Sequence, residues 1–357
     1  MQLKQLLTLV FSIVSLSLFS QTKYSNEFMN IGVDAAALGM SNAVVANSND
    51  VNSGYWNPAG LVNLEDSQIA LMHSSYFANI ANYDYIAFAK PMDDRSALGI
   101  SVIRFAVDDI LDTTQLIDDE GNVNYDRISL FSTADYGVTV SYSRRLPVQG
   151  FSYGVNAKVI RRIIGDFANS WGFGLDAAIQ FETKNNWKFG IMARDITTTF
   201  NAWSYDEEAF ERVRNAVEGQ NQELPESTEI TIPKLQIGVS KSYVFHYDYS
   251  LRAELDLNVR FEENNDIIST SFASINPAFG FEFGYINMIY LRGGVGNFQN
   301  ELQIDNITED LSFQPSLGLG FKYKGIQVDY AFTDIGDQSV ALYSNVFSVK
   351  LDFSIFR

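Results

Sequence analysis

The chain has 357 residues, with Lys+Arg 25 against Asp+Glu 43 for a net charge of −18, and it contains no cysteine and only two histidines. That balance excludes a nucleic-acid binder, which needs clustered basic residues, and the missing thiols exclude disulfides, thiolate metal sites, a thiol nucleophile and a lipid-anchored cysteine at the mature N-terminus. Hydrophobic residues make up 46%, yet no mature stretch approaches the ~18 apolar residues of a spanning helix, and 27 Phe, 18 Tyr and 24 Gly against 7 Pro favour an all-β chain.

Residues 1–20, MQLKQLLTLVFSIVSLSLFS, read as an export signal: Lys4 supplies the positive region, Leu6 to Phe19 the apolar core, and Ser20 the small residue before a mature start at Gln21. Residues 21–66 do not read as strands. They are rich in small residues (DAAALGMSNAVVANSNDVNSGYWNPAGL), with turn chemistry at Asn57 and Pro58 and a possible helical turn over Asp34 to Met40. Such a segment ahead of a barrel is expected to fold inside it as a plug.

From residue 67 to 357 the two-residue repeat dominates. In 135–146, Tyr136, Val138, Val140 and Tyr142 alternate with Gly137, Thr139, Ser141 and Ser143. In 171–182 one face carries Trp171, Phe173, Leu175, Ala177, Ile179 and Phe181. In 248–261 the run from Tyr249 to Phe261 alternates with Arg252, Glu254, Asp256 and Arg260, and 345–357 sets Phe347, Val349, Leu351 and Phe353 against Ser348, Lys350 and Asp352. Runs of about ten residues match a tilted bilayer crossing. Candidate strands fall near 67–77, 83–90, 96–107, 133–146, 151–165, 170–183, 186–199, 231–244, 248–261, 272–284, 288–297, 313–323, 325–333 and 344–356. The expected fold is an antiparallel transmembrane β-barrel of about fourteen strands.

The joints carry a second signal. Pro91 to Arg95, Pro147 to Gly150, Lys184–Asn185, Phe245 to Tyr247, Tyr285 to Asn287 and Lys324 are short, whereas 108–132, 200–230, 262–271, 298–312 and 334–343 are mostly long and acidic or amidic. The joints 78–82 and 166–169 break the alternation. Short turns at one rim and long loops at the other mark outer-membrane barrels, with both termini periplasmic and the long loops extracellular. Residues 205–218, YDEEAFERVRNAVE, read either as a short helix over the mouth or as a solvated loop. The acidic stretch 116–126 lacks the ordered ligand spacing of a calcium loop and reads as solvated.

Tyr55-Trp56-Asn57-Pro58-Ala59-Gly60-Leu61, after Ala37-Leu38-Gly39-Met40, resembles the N-terminal hatch of FadL-like outer-membrane barrels. Within that superfamily the mature chain is similar throughout to the PorV/PorQ family of the type IX secretion system of Bacteroidetes. The resemblance implies a fourteen-stranded FadL-like barrel with the hatch inside it, Trp56, Asn57, Pro58, Ala59 and Gly60 forming the hatch motif. It also implies an accessory or shuttle protein that binds the translocon barrel, the signal domain of exported cargo, or both. The apolar residues of the two longest loops, Ile110, Leu111, Phe200, Trp203 and Phe210, are the candidate contacts, or else pack their own loops onto the mouth. The superfamily resemblance also implies an alternative, a transporter of hydrophobic small molecules with an apolar pocket around Trp56 and Leu61.

No nucleophile elbow, P-loop, H-E-x-x-H or paired-cysteine motif occurs, so neither enzyme chemistry nor a cofactor is expected. Arg292-Gly293-Gly294-Val295-Gly296 lies in a strand pattern, where glycine permits curvature or close packing. His73 and His246 are far apart, and the inward charges Asp176, Glu182, Glu254, Asp256, Arg252 and Arg260 are expected to form ion-pair networks in the lumen. Besides lipid and the secretion partners, no binding partner is implied.

Overall fold

The computed structural model describes residues 25–76, 80–117, 121–209, 227–302, 309–333 and 344–356. Its strands are β1 (Gln68–Tyr76), β2 (Ala81–Asp93), β3 (Ser96–Asp112), β4 (Ser129–Arg145), β5 (Phe151–Ile164), β6 (Ala168–Glu182), β7 (Trp187–Arg194), β8 (Thr199–Tyr205) and β9 (Thr228–Thr231). They continue with β10 (Lys234–Phe245), β11 (Tyr249–Arg260), β12 (Ile268–Ser269), β13 (Ser274–Tyr285), β14 (Ile289–Leu302), β15 (Glu309–Tyr323), β16 (Ile326–Thr333) and β17 (Ser344–Asp352). All pair antiparallel, and β1 bonds both β2 and β17, so the sheet closes. β7 with β8 and β9 with β10 each form one interrupted stave, and β12 is a short ribbon outside the wall, leaving a barrel of fourteen staves. Every strand expected from the sequence corresponds to one stave.

Following the pairing registers once round the barrel returns about 14 residues further up β1. A shear equal to the stave count sets the strand tilt near 37°, or about 2.6 Å of climb along the barrel axis per residue. The short turns are built for this twist. His246 and Tyr247 have φ 52 and 58, Ile286 and Asn287 have φ 53 and 54, and Lys324 and Gly325 have φ 46 and 80. Positive φ at two consecutive residues is the I′ geometry that matches right-twisted strands.

The wall alternates as a lipid-embedded barrel must. Along β6, Trp171, Phe173, Leu175 and Ile179 are exposed, while Gly172, Gly174, Asp176, Ala178 and Gln180 are buried. Aromatic rings gather outside the short-turn rim, where Phe151 stacks on Phe181 at 4.2 Å and Tyr249 lies 5.1 Å from Tyr285 and 5.8 Å from Phe283. Such a girdle marks a membrane–water boundary.

Several strand limits differ from expectation, with β14 running on to Leu302, β15 beginning at Glu309 and β17 ending at Asp352, and two of the differences have a clear local cause. β3 runs on to Asp112 and β4 begins at Ser129, because a bulge between Val107 and Ile110 lets pairing resume with Ile110 opposite Phe131 and Leu111 opposite Leu130. The stave β7–β8 breaks at Asp195–Thr198, with φ 54 and 61 at its two ends, opposite Ile232 and Pro233. Pro233 has no N–H to give the ladder, so pairing between these neighbours stops and restarts.

Residues 25–66 lie inside the barrel as short helical turns, Glu27–Asn30, Ala35–Leu38, Ser53–Trp56 and Pro58–Asn63. Their apolar side chains, among them Phe28, Val33, Leu38, Tyr55, Trp56 and Leu61, form one buried cluster with Met72, Tyr83, Tyr85, Ile103 and Ile160 of the wall. The core therefore sits off-axis, against the inner faces of β1 to β3. The inner faces of β5 to β15 are instead mostly polar, with Lys158, Asp176, Arg194, Glu254, Asp256, Arg292 and Ser316 all buried.

Candidate functional site

The Trp56–Gly60 segment is built around buried polar contacts. The Trp56 indole N–H donates to the Val33 carbonyl at 3.0 Å, and Tyr55 donates its hydroxyl hydrogen to the Met29 carbonyl at 2.8 Å. Asn57, fully buried, donates to the Val45 carbonyl at 2.9 Å and to the wall carbonyl of Ile179 at 3.3 Å. Its side-chain oxygen accepts the Ala59 N–H at 3.1 Å, capping the Pro58–Asn63 turn that Pro58 opens. Gly60 is needed because a Cβ there would fall 2.0 Å from the Ser48 carbonyl oxygen. The motif thus ties three stretches of the N-terminal segment together and to β6.

The wall in turn grips the backbone of that segment. One Asp256 oxygen accepts the N–H groups of Val44 and Val45 at 2.9 and 3.0 Å, and one Glu254 oxygen accepts those of Ala46 and Asn47 at 2.6 and 3.3 Å. Arg194 donates to the Tyr55 carbonyl at 2.9 Å and lies over the Tyr55 ring at 4.5 Å. Asn156 and Gln180 donate to the carbonyls of Gly54 and Ser48, both at 2.9 Å, and Ser143 to that of Ala59 at 3.0 Å. On the opposite side Asp34 accepts from Ser348 at 2.8 Å and from Lys350 at 3.3 Å, while Lys350 also reaches Asp50 at 2.5 Å. Burial alone would push the Asp34 carboxyl up, but the Lys350 ammonium and the Ser348 hydroxyl hold it below the usual carboxylate range.

The lumen networks differ from the expected membership. Asp176 does pair, with Lys158 at 2.8 Å, and Lys158 also bonds Asp195 at the wall break. Arg252 reaches Glu282 at 3.6 Å, and Arg292 joins Glu282 and Asp329 at 2.6 and 2.7 Å. Glu182 approaches Lys188 at 3.7 Å near the short-turn rim. Glu254 and Asp256 instead spend their bonds on backbone N–H groups, which a list of charged residues does not reveal. Lys158, Arg194 and Lys350 were missed, although each occupies an inward position of a period-two strand.

A cavity of about 540 Å³ opens at the short-turn end, bordered by Asp34, Asp50, Arg252, Glu282, Arg292 and Lys350. Trp56 touches it at one edge, whereas Leu61 is sealed in the apolar cluster. The space beside the motif is therefore of mixed lining, with ionic groups at its border, and not a purely apolar pocket.

The expected loop contacts are placed differently. Ile110 and Leu111 belong to the extended end of β3, and Phe200 and Trp203 to β8, because pairing continues beyond the expected strand ends. Leu111 and Phe200 are exposed. Trp203 faces inward, buried beneath the Arg162 guanidinium at 5.2 Å. Phe210 and most of the 205–218 stretch lie outside the described residues, which show only the helical start Glu207–Ala209, capped by Asp206 at 2.8 Å. Among the described residues of the long connections, exposed apolar side chains include Ile117, Val123 and Tyr125 after β3, and Phe261, Ile267, Ile268 and Phe272 before β13. Among the described residues no group of three or more His, Cys, Asp or Glu is arranged to hold a metal ion.

A closed barrel of fourteen tilted staves, apolar and girdled outside and polar within, defines an outer-membrane β-barrel of the FadL-like type. Solved structures agree in fold. The toluene transporter TodX of Pseudomonas putida superposes with TM-score 0.55 at 11% identity, covering 90% of this chain and 99% of that one. The monoaromatic hydrocarbon channel CymD gives 0.54 at 11%, covering 93% and 99%. A FadL homologue of Pseudomonas aeruginosa gives 0.50 at 13%, covering 90% and 98%. No curated protein matches in sequence. The family model of the type IX secretion system protein PorV matches residues 21–201, and the chain belongs to that family.

Proposed function

We propose that this barrel is an accessory or shuttle component of type IX secretion, which binds the translocon barrel, the signal domain of exported cargo, or both, through the rim that bears the long loops. On this reading residues 1–20 are a cleaved signal peptide, 21–66 a hatch that closes the lumen, and 67–357 the barrel. Both termini then face the periplasm and the long loops face outward. Family membership carries the reading. Ile117, Val123, Tyr125 and Phe272, exposed at the long-loop rim, supply apolar contacts that a protein partner would cover. The rival reading, transport of hydrophobic small molecules, asks for an apolar pocket at Trp56 and Leu61. The cavity that touches Trp56 is bordered by ionic side chains, and Leu61 is sealed away from it, which disfavours that reading. Co-purification from native outer membranes tests the proposal: a type IX translocon subunit or a type IX cargo protein is expected with the barrel, and recovery of neither overturns it.

A further inference from the structure

We propose that the outward face of β1, β2 and β3, with the adjoining edge of β17, docks a second outer-membrane protein within the membrane band, one that presents basic side chains there. The face carries ions where its neighbours carry hydrocarbon. His73, Asp84 and Arg104 are direct cross-strand partners on the outward side of β1, β2 and β3. His73 Nδ1 lies 2.7 Å from Asp84 Oδ1, Arg104 Nη1 3.3 Å from Asp84 Oδ2, and Arg104 Nη2 3.8 Å from Asp108 Oδ2. All four stay open to the exterior, with side-chain exposures of 59%, 41%, 34% and 49% for His73, Asp84, Arg104 and Asp108. One row higher, Ser75 sits between Asn345 and Asn82, and Asn345 accepts a hydrogen bond from Tyr330 at 2.5 Å.

The depth follows from the register. From Gln68 at the short-turn end, β1 climbs about 13 Å along the barrel axis to His73. On β2 only Ile86 and Phe88 separate outward Asp84 from outward Lys90, about 16 Å along the axis. An outer-membrane barrel wears an apolar band of about 25 Å. On β5 the outward run Phe151, Tyr153, Val155, Ala157 and Val159 fills that height before Arg161. The cluster therefore lies near mid-band. Behind it the pattern is inverted, since Met72, Tyr83, Tyr85 and Ile103 fill the inner face with buried apolar surface.

An arginine exposed to lipid at this depth is destabilising, and carboxylates cost less but still count. Covering the cluster with protein that completes its hydrogen bonds removes that penalty. With histidine counted as neutral at pH 7, the carboxylates of Asp84 and Asp108 outnumber the single Arg104, so the fitting partner brings Lys or Arg. The same excess opposes lipid phosphates and a second copy of this chain, each of which adds negative charge. The inference does not depend on the secretion reading.

A photo-cross-linking residue in place of Ser75, in cells with the full chain, tests it. The expected adduct joins an outer-membrane protein at a strand with Lys or Arg within reach. It falls at least tenfold when His73→Leu, Asp84→Leu and Arg104→Leu are combined, although that barrel keeps its heat-modifiable mobility. An adduct with lipid or with a second copy alone, no adduct, or an adduct indifferent to the triple change overturns the proposal. An adduct to a barrel outside type IX secretion upholds it while counting against the function proposed above.

Discussion

The strongest residue-level ties are those in which one wall carboxyl satisfies two consecutive backbone N–H groups. A short, turn-rich segment has few internal partners for its amides, and inside a barrel it cannot hand them to bulk water. Asp256 and Glu254, two residues apart on the same face of β11, meet four such groups in a row, from Val44 to Asn47. Deleting an acceptor strands a buried donor, at about 1–3 kcal/mol each. The variant Glu254→Ala with Asp256→Ala is therefore expected to keep its barrel while amide exchange over residues 44–47 speeds up by about tenfold or more, read by mass spectrometry in micelles. Unchanged protection there would show that the segment is held by its apolar contacts alone. The Asp34 tie adds a pH dependence of defined sign. Its carboxyl titrates lower when folded than the ordinary value of about 3.9, so its stabilisation is present in full above that value and disappears as pH falls through the folded pKa. The segment should stay as protease-resistant at pH 5 as at pH 7 and loosen only below about pH 4, and Asp34→Asn should flatten that acid response.

At the scale of elements, the staves were legible because alternation and joint length are both written locally. A lipid-facing strand must show its period over ten residues, and each short turn fixes where two strands meet. The breaks and extensions were not legible. Ile110 and Leu111 read as loop because the bulge after Val107 shifts the alternation by one residue, and Phe200 and Trp203 read as loop because the stave restarts after Asp195–Thr198. The grip on the N-terminal segment was equally hidden, since its receivers are backbone atoms far away in sequence. The glycine cluster shows the two kinds of information side by side. Gly293 faces outward, where a Cβ would meet the Phe281 ring at 2.7 Å, a side chain that can swing away. Gly294 faces inward, where a Cβ would lie 2.4 Å from the Met40 backbone carbon, which cannot. Gly294→Ala is thus expected to lower stability by about 1–3 kcal/mol, seen as a lower temperature for the gel-mobility transition, with Gly293→Ala close to the parent. Equal behaviour of the two would mean that the wall and the segment are not in close contact at β14.

The molecule as a whole is a wide cylinder filled from within by its own N-terminal segment. Fourteen staves with a matching shear enclose a backbone diameter of about 25 Å, too wide for wall side chains alone to fill. The filling is lopsided, apolar against β1 to β3 and polar against the rest, so the segment is both glued and tied. That division sets what happens when only the ties are cut. Loss of Asp256, Glu254 and Lys350 contacts would leave the apolar cluster around Trp56 and Leu61 seated, and water would enter on the polar side, where the charged cavity already reaches inward from the short-turn rim. In planar bilayers the intact chain is expected to conduct little. The variant combining Glu254→Ala, Asp256→Ala and Lys350→Met should flicker between closed and conducting levels, and deletion of residues 25–66 should give a steady open pore. If the deletion fails to assemble, the triple variant still decides the matter. A parent that conducts as freely as the triple variant would show that the segment does not seal the barrel, and that the closure resides in the loops at the far rim.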